Sequence, residues 1–228
     1  MTPELEFALS LADEADAISL ARFRAADLRV ETKPDLTPVT EADRAVEGRL
    51  RELIAAERPG EPVLGEEFGA DEGEGPHWIL DPIDGTRNYT RGIPVWATLI
   101  SFDDRVAVVS APALGRRWWA TRGGGAFANG APIHVSAIET VEAATVLVAL
   151  DQPPAARAFA AWHLRGFGDF WAHMLVAEGA AEVAVDAPRL AIWDTASLAV
   201  IVSEAGGGFD GRISSNGLLH DEAVAALA

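Results

Sequence analysis

The sequence predicts an α+β fold in one compact unit of two halves, and three observations carry that expectation. Two stretches of helical period open the chain, a long segment rich in β-branched and aromatic residues follows, and strand and helix signals alternate again towards the C-terminus. The division is expected between residues 142 and 143. It leaves an N-terminal α+β half, 1–142, with an antiparallel sheet, and a C-terminal α/β half, 143–228.

The first helix is expected from Leu5 to about Ala26, where Leu5, Leu9, Ala12 and Ile18 are interspersed with charges and the Pro34 and Pro38 region ends the pattern. The second starts at a capping signature, Thr40-Glu41-Ala42-Asp43. Its apolar stripe is Val46, Leu50, Leu53 and Ile54, and Pro59-Gly60 stops it. Val63-Leu64 and Trp78-Ile79-Leu80 are short apolar runs bounded by Gly and Pro, suiting buried strands whose C-terminal ends present Glu66-Glu67 and Asp81. Between Trp96 and Val135, breaks at Asp103-Asp104, Gly115 and Asn129-Gly130 read as hairpin turns of an antiparallel sheet. Gly123-Gly124-Gly125 reads as a turn or bulge, since it lacks the spacing and the following helix of a phosphate loop. In the second half, Thr145 to Leu150 reads as a strand, and Ala155 to Leu164, Asp169 to Val185 and Thr195 to Ala205 as helices, the last ended by Gly206-Gly207-Gly208.

Composition narrows the function. Acidic residues outnumber basic ones 35 to 18, and the net charge of −17 repels nucleic acid and anionic membrane. An anionic ligand must therefore be met by local positive charge, and a surplus of carboxylates favours bound divalent cations as its source. A solvated acidic surface would explain the same surplus. The absence of cysteine removes disulfides, thiolate nucleophiles and Cys-based metal sites. No targeting signal and no bilayer-length apolar run is present, so a cytoplasmic location is expected. Lys33 is the only lysine among many arginines.

The densest concentration of chemistry is Asp81-Pro82-Ile83-Asp84-Gly85-Thr86. Asp81 and Asp84 supply oxygen ligands, Pro82 stiffens the turn so that the Ile83 carbonyl can face a metal, and Gly85 permits a tight backbone path. The Thr86 hydroxyl could orient a water, while the N–H groups of Gly85 and Thr86 could hold phosphate oxygens. Spacing alone leaves an ordinary Asp-Gly turn equally open. Asp194 could likewise be only a helix cap and Asp43 only the acid of a capping box. None of the five histidines falls in a zinc or phosphohistidine spacing, and no Gly-x-Ser-x-Gly elbow is present.

Taken in order, Thr40-x-x-Asp43, Gly65-Glu66-Glu67, the Asp81 to Thr86 hexapeptide, and Trp193-Asp194-x-Ala196 followed by Glu204-Ala205-Gly206-Gly207 resemble the signature of the inositol-monophosphatase family. The resemblance spans nearly the whole chain. The segments Thr32 to Thr40, Arg91 to Trp96, Ala111 to Trp119 and Gly168-Asp169-Phe170 are similar to its histidinol-phosphate phosphatase branch rather than to inositol or broader sugar and nucleotide phosphatases.

That resemblance implies a layered αβαβα sandwich of the inositol monophosphatase and fructose-1,6-bisphosphatase type, in which a small phosphorylated metabolite is hydrolysed with two or three Mg²⁺ ions by a homodimeric enzyme. Glu66, Asp81 and the Ile83 carbonyl would hold the first metal, and Asp81, Asp84 and Asp194 the second. Thr86 paired with Asp43 would orient the attacking water, with Glu67 supporting or holding a third ion. Glu66, Ile83, Gly85 and Thr86 would face the substrate phosphate, and Arg165, Asp169 and Asp186 the rest of the substrate. Arg165 could equally form a surface ion pair and Asp169 a helix cap. The family's acidic substrate ligand seven residues before Asp194 is replaced by Ala187, with Asp186 displaced by one; the Gly208 to Asn216 stretch is short, and the Asp151 to Pro154 loop looks trimmed. A catalytically silent protein would have no physical need to retain the whole ligand set.

Overall fold

The computed structural model describes residues 1–149, 153–160 and 162–227. Helix α1 (Pro3–Arg22) starts at Thr2, whose hydroxyl accepts the Leu5 N–H at 3.2 Å. It ends at Arg22 rather than Ala26, because Phe23 turns extended and Arg24 takes a positive φ of 62°. The segment expected only to break that helix instead folds into a two-stranded ribbon, β1 (Val30–Thr32) with β2 (Pro38–Thr40). Helix α2 (Glu41–Glu57) then begins at the expected capping box.

Strands β3 (Val63–Gly65), β4 (Gly69–Ala70) and β5 (Trp78–Asp84) lead into the short helix α3 (Thr86–Thr90). A run of antiparallel strands follows: β6 (Ala97–Phe102), β7 (Val106–Ala111), β8 (Arg116–Thr121), β9 (Gly125–Ala128) and β10 (Ala131–Ile133). Their turns fall where the sequence places them, and the Gly123 region is the β8–β9 hairpin. The sheet order is β10-β9-β8-β7-β6-β5-β3-β4, with β3 and β5 its one parallel pair.

The second sheet is smaller and mixed. Its strands are β11 (Thr145–Val148), β12 (His163–Arg165), β13 (Val183–Val185), β14 (Gly208–Phe209) and β15 (Ile213–Ser215), in the order β12-β11-β13-β15-β14. Between them run α4 (Pro153–Ala158), α5 (Asp169–Ala177) and α6 (Ile192–Glu204), and α7 (His220–Ala226) closes the chain. Two of the helices expected in this half are too long. The one expected from Ala155 to Leu164 stops at Ala158, and its last residues pair with β11 as a strand. The one expected from Asp169 to Val185 stops at Ala177; Gly179, at a φ of 74°, turns the chain and the apolar run Val183 to Val185 becomes a central strand. A short apolar run has no periodicity to distinguish a buried strand from helix. The end of the strand expected at Leu150 and the start of the Asp151 to Pro154 loop lie outside the described residues. The final hairpin, β14 with β15, forms despite its short sequence.

The layers follow from which faces are apolar. Leu5, Leu11, Val46, Leu50 and Ile54 of α1 and α2 pack on Trp78, Leu80, Ile100 and Val108 of the large sheet. Its other face meets Phe170 and Met174 of α5 and Leu198 and Ile201 of α6 through Leu99, Val109 and Trp118. α5 also buries Ala172 and Val176 against Leu147 and Ala184 of the second sheet, whose far face is covered by Ala155, Phe159 and Ala223. The result is the expected αβαβα stack. Among the described residues no helix is long and apolar enough to cross a membrane.

Candidate active site

The parallel pairing of β3 with β5 sets Gly65 opposite Leu80, so Glu66, just past the end of β3, stands beside Asp81 within β5. The Glu66 N–H extends that pairing to the Leu80 carbonyl at 3.2 Å. β5 does not end at Asp81 as its apolar run suggests. It continues to Asp84 across an irregularity in its pairing with β6, between Asp81 and Asp84. Pro82, which has no N–H to pair, sits in this break, where its carbonyl accepts the Thr98 hydroxyl at 2.8 Å. The Asp81 carboxylate accepts the Ile83 N–H at 3.0 Å. Gly85 then takes a φ of 83°, and a Cβ there would stand 3.0 Å from the Val95 carbonyl oxygen, so both conformation and space call for glycine.

Thr86 opens α3 with its Oγ1 2.9 Å from the Ile83 carbonyl and 3.2 Å from Asp43 Oδ1. Asp43 is fully buried behind it, and its other oxygen accepts the Thr40 N–H at 2.9 Å and the Thr40 hydroxyl. Asp43 therefore serves the capping box and the threonine together. From the second half, Asp194 in the first turn of α6 accepts the Ala191 N–H at 2.8 Å, and the Phe170 N–H of α5 donates to Asp84 at 2.7 Å. Asp169 is not a helix cap: Gly168 has that place, while Asp169 is the first helical residue, at a positive φ of 53°, with its carboxylate 3.5 Å from the Asn88 side-chain nitrogen.

These residues line one cavity of about 420 Å³. Glu66, Asp81, Ile83, Asp84, Gly85, Thr86, Asp169 and Asp194 all face it, which joins acids from both halves of the sequence. Asp35, Thr37 and Pro38 of the ribbon, and Arg87, Arg189, Ala191 and Trp193, also line it. None of these carries a role assigned from the sequence; the ribbon residues and Trp193 lie within segments that carry the resemblance, but only the fold shows that they reach the cavity. Two expected substrate contacts are not brought there. Arg165 is exposed on β12 and donates to the Leu164 carbonyl at 2.9 Å. Asp186 turns its carboxylate to the Ala187 N–H at 2.7 Å and to His173 at 3.4 Å. Among the described residues no histidine lines the cavity.

The electrostatics are those of crowded acids. Burial, followed by the charges of Glu66, Asp84, Asp194 and Asp43, pushes the Asp81 carboxyl well above its ordinary range. Burial, then Asp169 and Asp194, does the same to Asp84. Burial also raises Asp194, to about 6, with Glu66, Asp186 and Asp169 adding to the shift. Lys33 meets part of this charge: its Nζ lies 2.7 Å from Glu66 and 2.6 Å from Glu67. Burial opposes the Lys33 charge, but the bonds to Glu66 and Glu67 outweigh it and raise the ammonium above its usual range. Each acid is thus turned to its own protein partner, and among the described residues no three Asp, Glu or His side chains close on a common point.

The inositol monophosphatase family profile matches residues 1–225. The chain belongs to the inositol monophosphatase family. It is 46% identical to a histidinol-phosphatase of Mycobacterium tuberculosis, covering 98% of this chain and 97% of that protein, and 45% identical to a histidinol-phosphatase of Streptomyces coelicolor, covering 98% and 96%. The IMPase of Thermotoga maritima shares the fold with a TM-score of 0.90 and 29% identity, covering 99% of this chain and 97% of that one. The family's metal dependence suits the donors present. Carboxylates and a carbonyl are hard oxygen ligands of the kind Mg²⁺ takes, and their mutual repulsion is what bound cations would relieve.

Proposed function

We propose that this protein is a Mg²⁺-dependent phosphomonoesterase acting on histidinol phosphate, with two or three ions held by Glu66, Asp81, the Ile83 carbonyl, Asp84 and Asp194. The observation that carries the reading is 45–46% identity to two histidinol-phosphatases along 98% of the chain. The shared cavity of oxygen donors supports the same conclusion. When bound, the cations would lower the pKa of a water and neutralise charge on the phosphate. Thr86 would take a proton from the attacking water as its own passes to Asp43. The new O–P bond would form in line with the ester P–O bond that breaks, and the departing alkoxide would collect a proton from solvent. Glu67 would support Glu66 or hold a third ion, and Gly85 and Thr86 would meet phosphate oxygens through backbone N–H groups.

Asp169 would pair with the substrate ammonium. This reading assigns Arg165 and Asp186 no substrate contact, because neither lines the cavity. The reading includes a homodimeric assembly and a cytoplasmic location, which rest on the family resemblance and the composition. Phosphate release from histidinol phosphate, inositol 1-phosphate and a set of other monoesters, with Mg²⁺ titrated, tests it. Histidinol phosphate should be preferred and chelation should abolish turnover. A second reading, a broader sugar or nucleotide phosphatase of the same family, draws on Ala187 standing where an acidic ligand is expected. Comparable turnover of inositol 1-phosphate would decide for it.

A further inference from the structure

A buried carboxylate one helical turn from Asp43 has no part in the chemistry above. Glu47 lies on α2 with its side chain fully buried. It accepts the Glu67 N–H at 2.7 Å, the Phe68 N–H at 3.2 Å and the Arg51 Nε at 2.8 Å. Burying a carboxylate is costly unless it is paired and hydrogen-bonded, and these three donors satisfy it. It also lies over Gly65, where a Cβ would fall 2.0 Å from Glu47 Oε1. The glycine before Glu66 is therefore the space that Glu47 occupies.

Residues four apart on a helix share a face, about one 5.4 Å turn from each other. Asp43 fixes Thr86 from that face, and Glu47 fixes the backbone that carries Glu66 and Glu67. We propose that Glu47 is a positioning residue for metal binding, and that α2 acts as a spacer setting the distance from the Glu66-Glu67 turn to Thr86. The inference rests on the metal-dependent reading above, and it assigns Glu47 no contact with metal or substrate.

The test uses the full chain and Mn²⁺ as the probe, followed by calorimetry in the absence of substrate. Glu47→Gln keeps the shape but offers one oxygen where two N–H groups and a guanidinium need acceptors. Mn²⁺ affinity should fall about tenfold or more. The Mg²⁺ concentration for half-maximal activity should rise by the same factor, while kcat at saturating Mg²⁺ falls far less. An unchanged Mn²⁺ affinity in a folded variant would overturn the proposal. If Glu47→Gln does not fold, amide hydrogen exchange of the unsubstituted protein decides: the Glu67 and Phe68 amides should be protected without added metal, and exchange at the rate of an open loop would overturn it. Failure of the unsubstituted protein to bind Mn²⁺ would instead count against the metal-dependent reading, so the two failures are distinguishable.

Discussion

Glu66, Asp81 and Asp84 reach the cavity from adjoining strands of one sheet, whereas Asp169 and Asp194 reach it from the first turns of two helices that follow loops. The first wall is fixed by strand register and backed by buried side chains from α2. The second depends on where α5 and α6 begin, and one of its members, Asp169, sits at a positive φ that few residues other than Asn, Asp and Gly adopt readily. Chemistry common to many phosphate esters belongs on the rigid wall. Discrimination among esters belongs on the wall that loops can reshape.

If the walls divide labour in this way, substitutions on each should fail differently. Asp84→Asn should cut turnover by about 10² to 10³, the loss expected when one group that stabilises transition-state charge is removed. It keeps an oxygen to accept the Phe170 N–H and removes one of the repelling buried charges, so the metal-free protein should melt at a higher temperature. Loss of fold, or turnover unchanged at saturating Mg²⁺, would break the assignment. On the other wall, Asp169→Asn should raise KM for histidinol phosphate by about ten- to a hundredfold, the worth of a hydrogen bond to a charged group. KM for a monoester without an ammonium should stay put. Parallel losses on both substrates would move Asp169 to the metal wall.

Acidity separates the walls' shared charge from their architecture. Burial and its acidic neighbours disfavour the Asp194 ion and raise its pKa to about 6 in the folded protein, while an unfolded aspartate titrates near its ordinary value of 3.8. The folded state therefore binds the proton more tightly, and stability without metal should fall as pH rises between about 4 and 6, by roughly 1–3 kcal/mol. Mg²⁺ affinity should run the other way, weakening as pH falls through 6, because a ligand must be ionised to bind. Thermal melts across that range with and without Mg²⁺ read both slopes. A metal-free protein that gains stability from pH 4 to 6 would contradict the crowding of the acids.

The first wall was readable from the sequence because its groups are close together along the chain: Asp81 to Thr86 is one segment, and Glu66-Glu67 ends a recognisable apolar run. The antiparallel sheet was readable for a similar reason, since its turns carry their own residues at Gly115 and Asn129-Gly130. What escaped depended on contacts between distant segments. The β1–β2 ribbon has few apolar residues to announce it, yet it brings Lys33 to Glu66. Glu47 looks like any helix-surface glutamate until the turn after β3 folds onto it. Val183 to Val185 could continue a helix or form a strand, and only pairing with β11 and β15 decides between them.

The smallest effects are expected at the two residues whose proposed contacts the fold withholds. Arg165→Ala should leave KM and kcat unchanged, since the side chain is exposed and, among the described residues, bonds only a neighbouring carbonyl. Asp186→Asn is the sharper case. Its carboxylate stabilises the end of β13 through the Ala187 N–H and His173, and although burial opposes its charge, the bond to His173 holds its pKa below the usual aspartate range. The substitution should therefore cost about 1 kcal/mol of stability while leaving KM for histidinol phosphate within about twofold. Denaturant unfolding and steady-state kinetics separate those outcomes. A rise in KM with stability intact would mean that Asp186 swings into the cavity when substrate arrives, and the second wall would then supply two acids to the ligand instead of one.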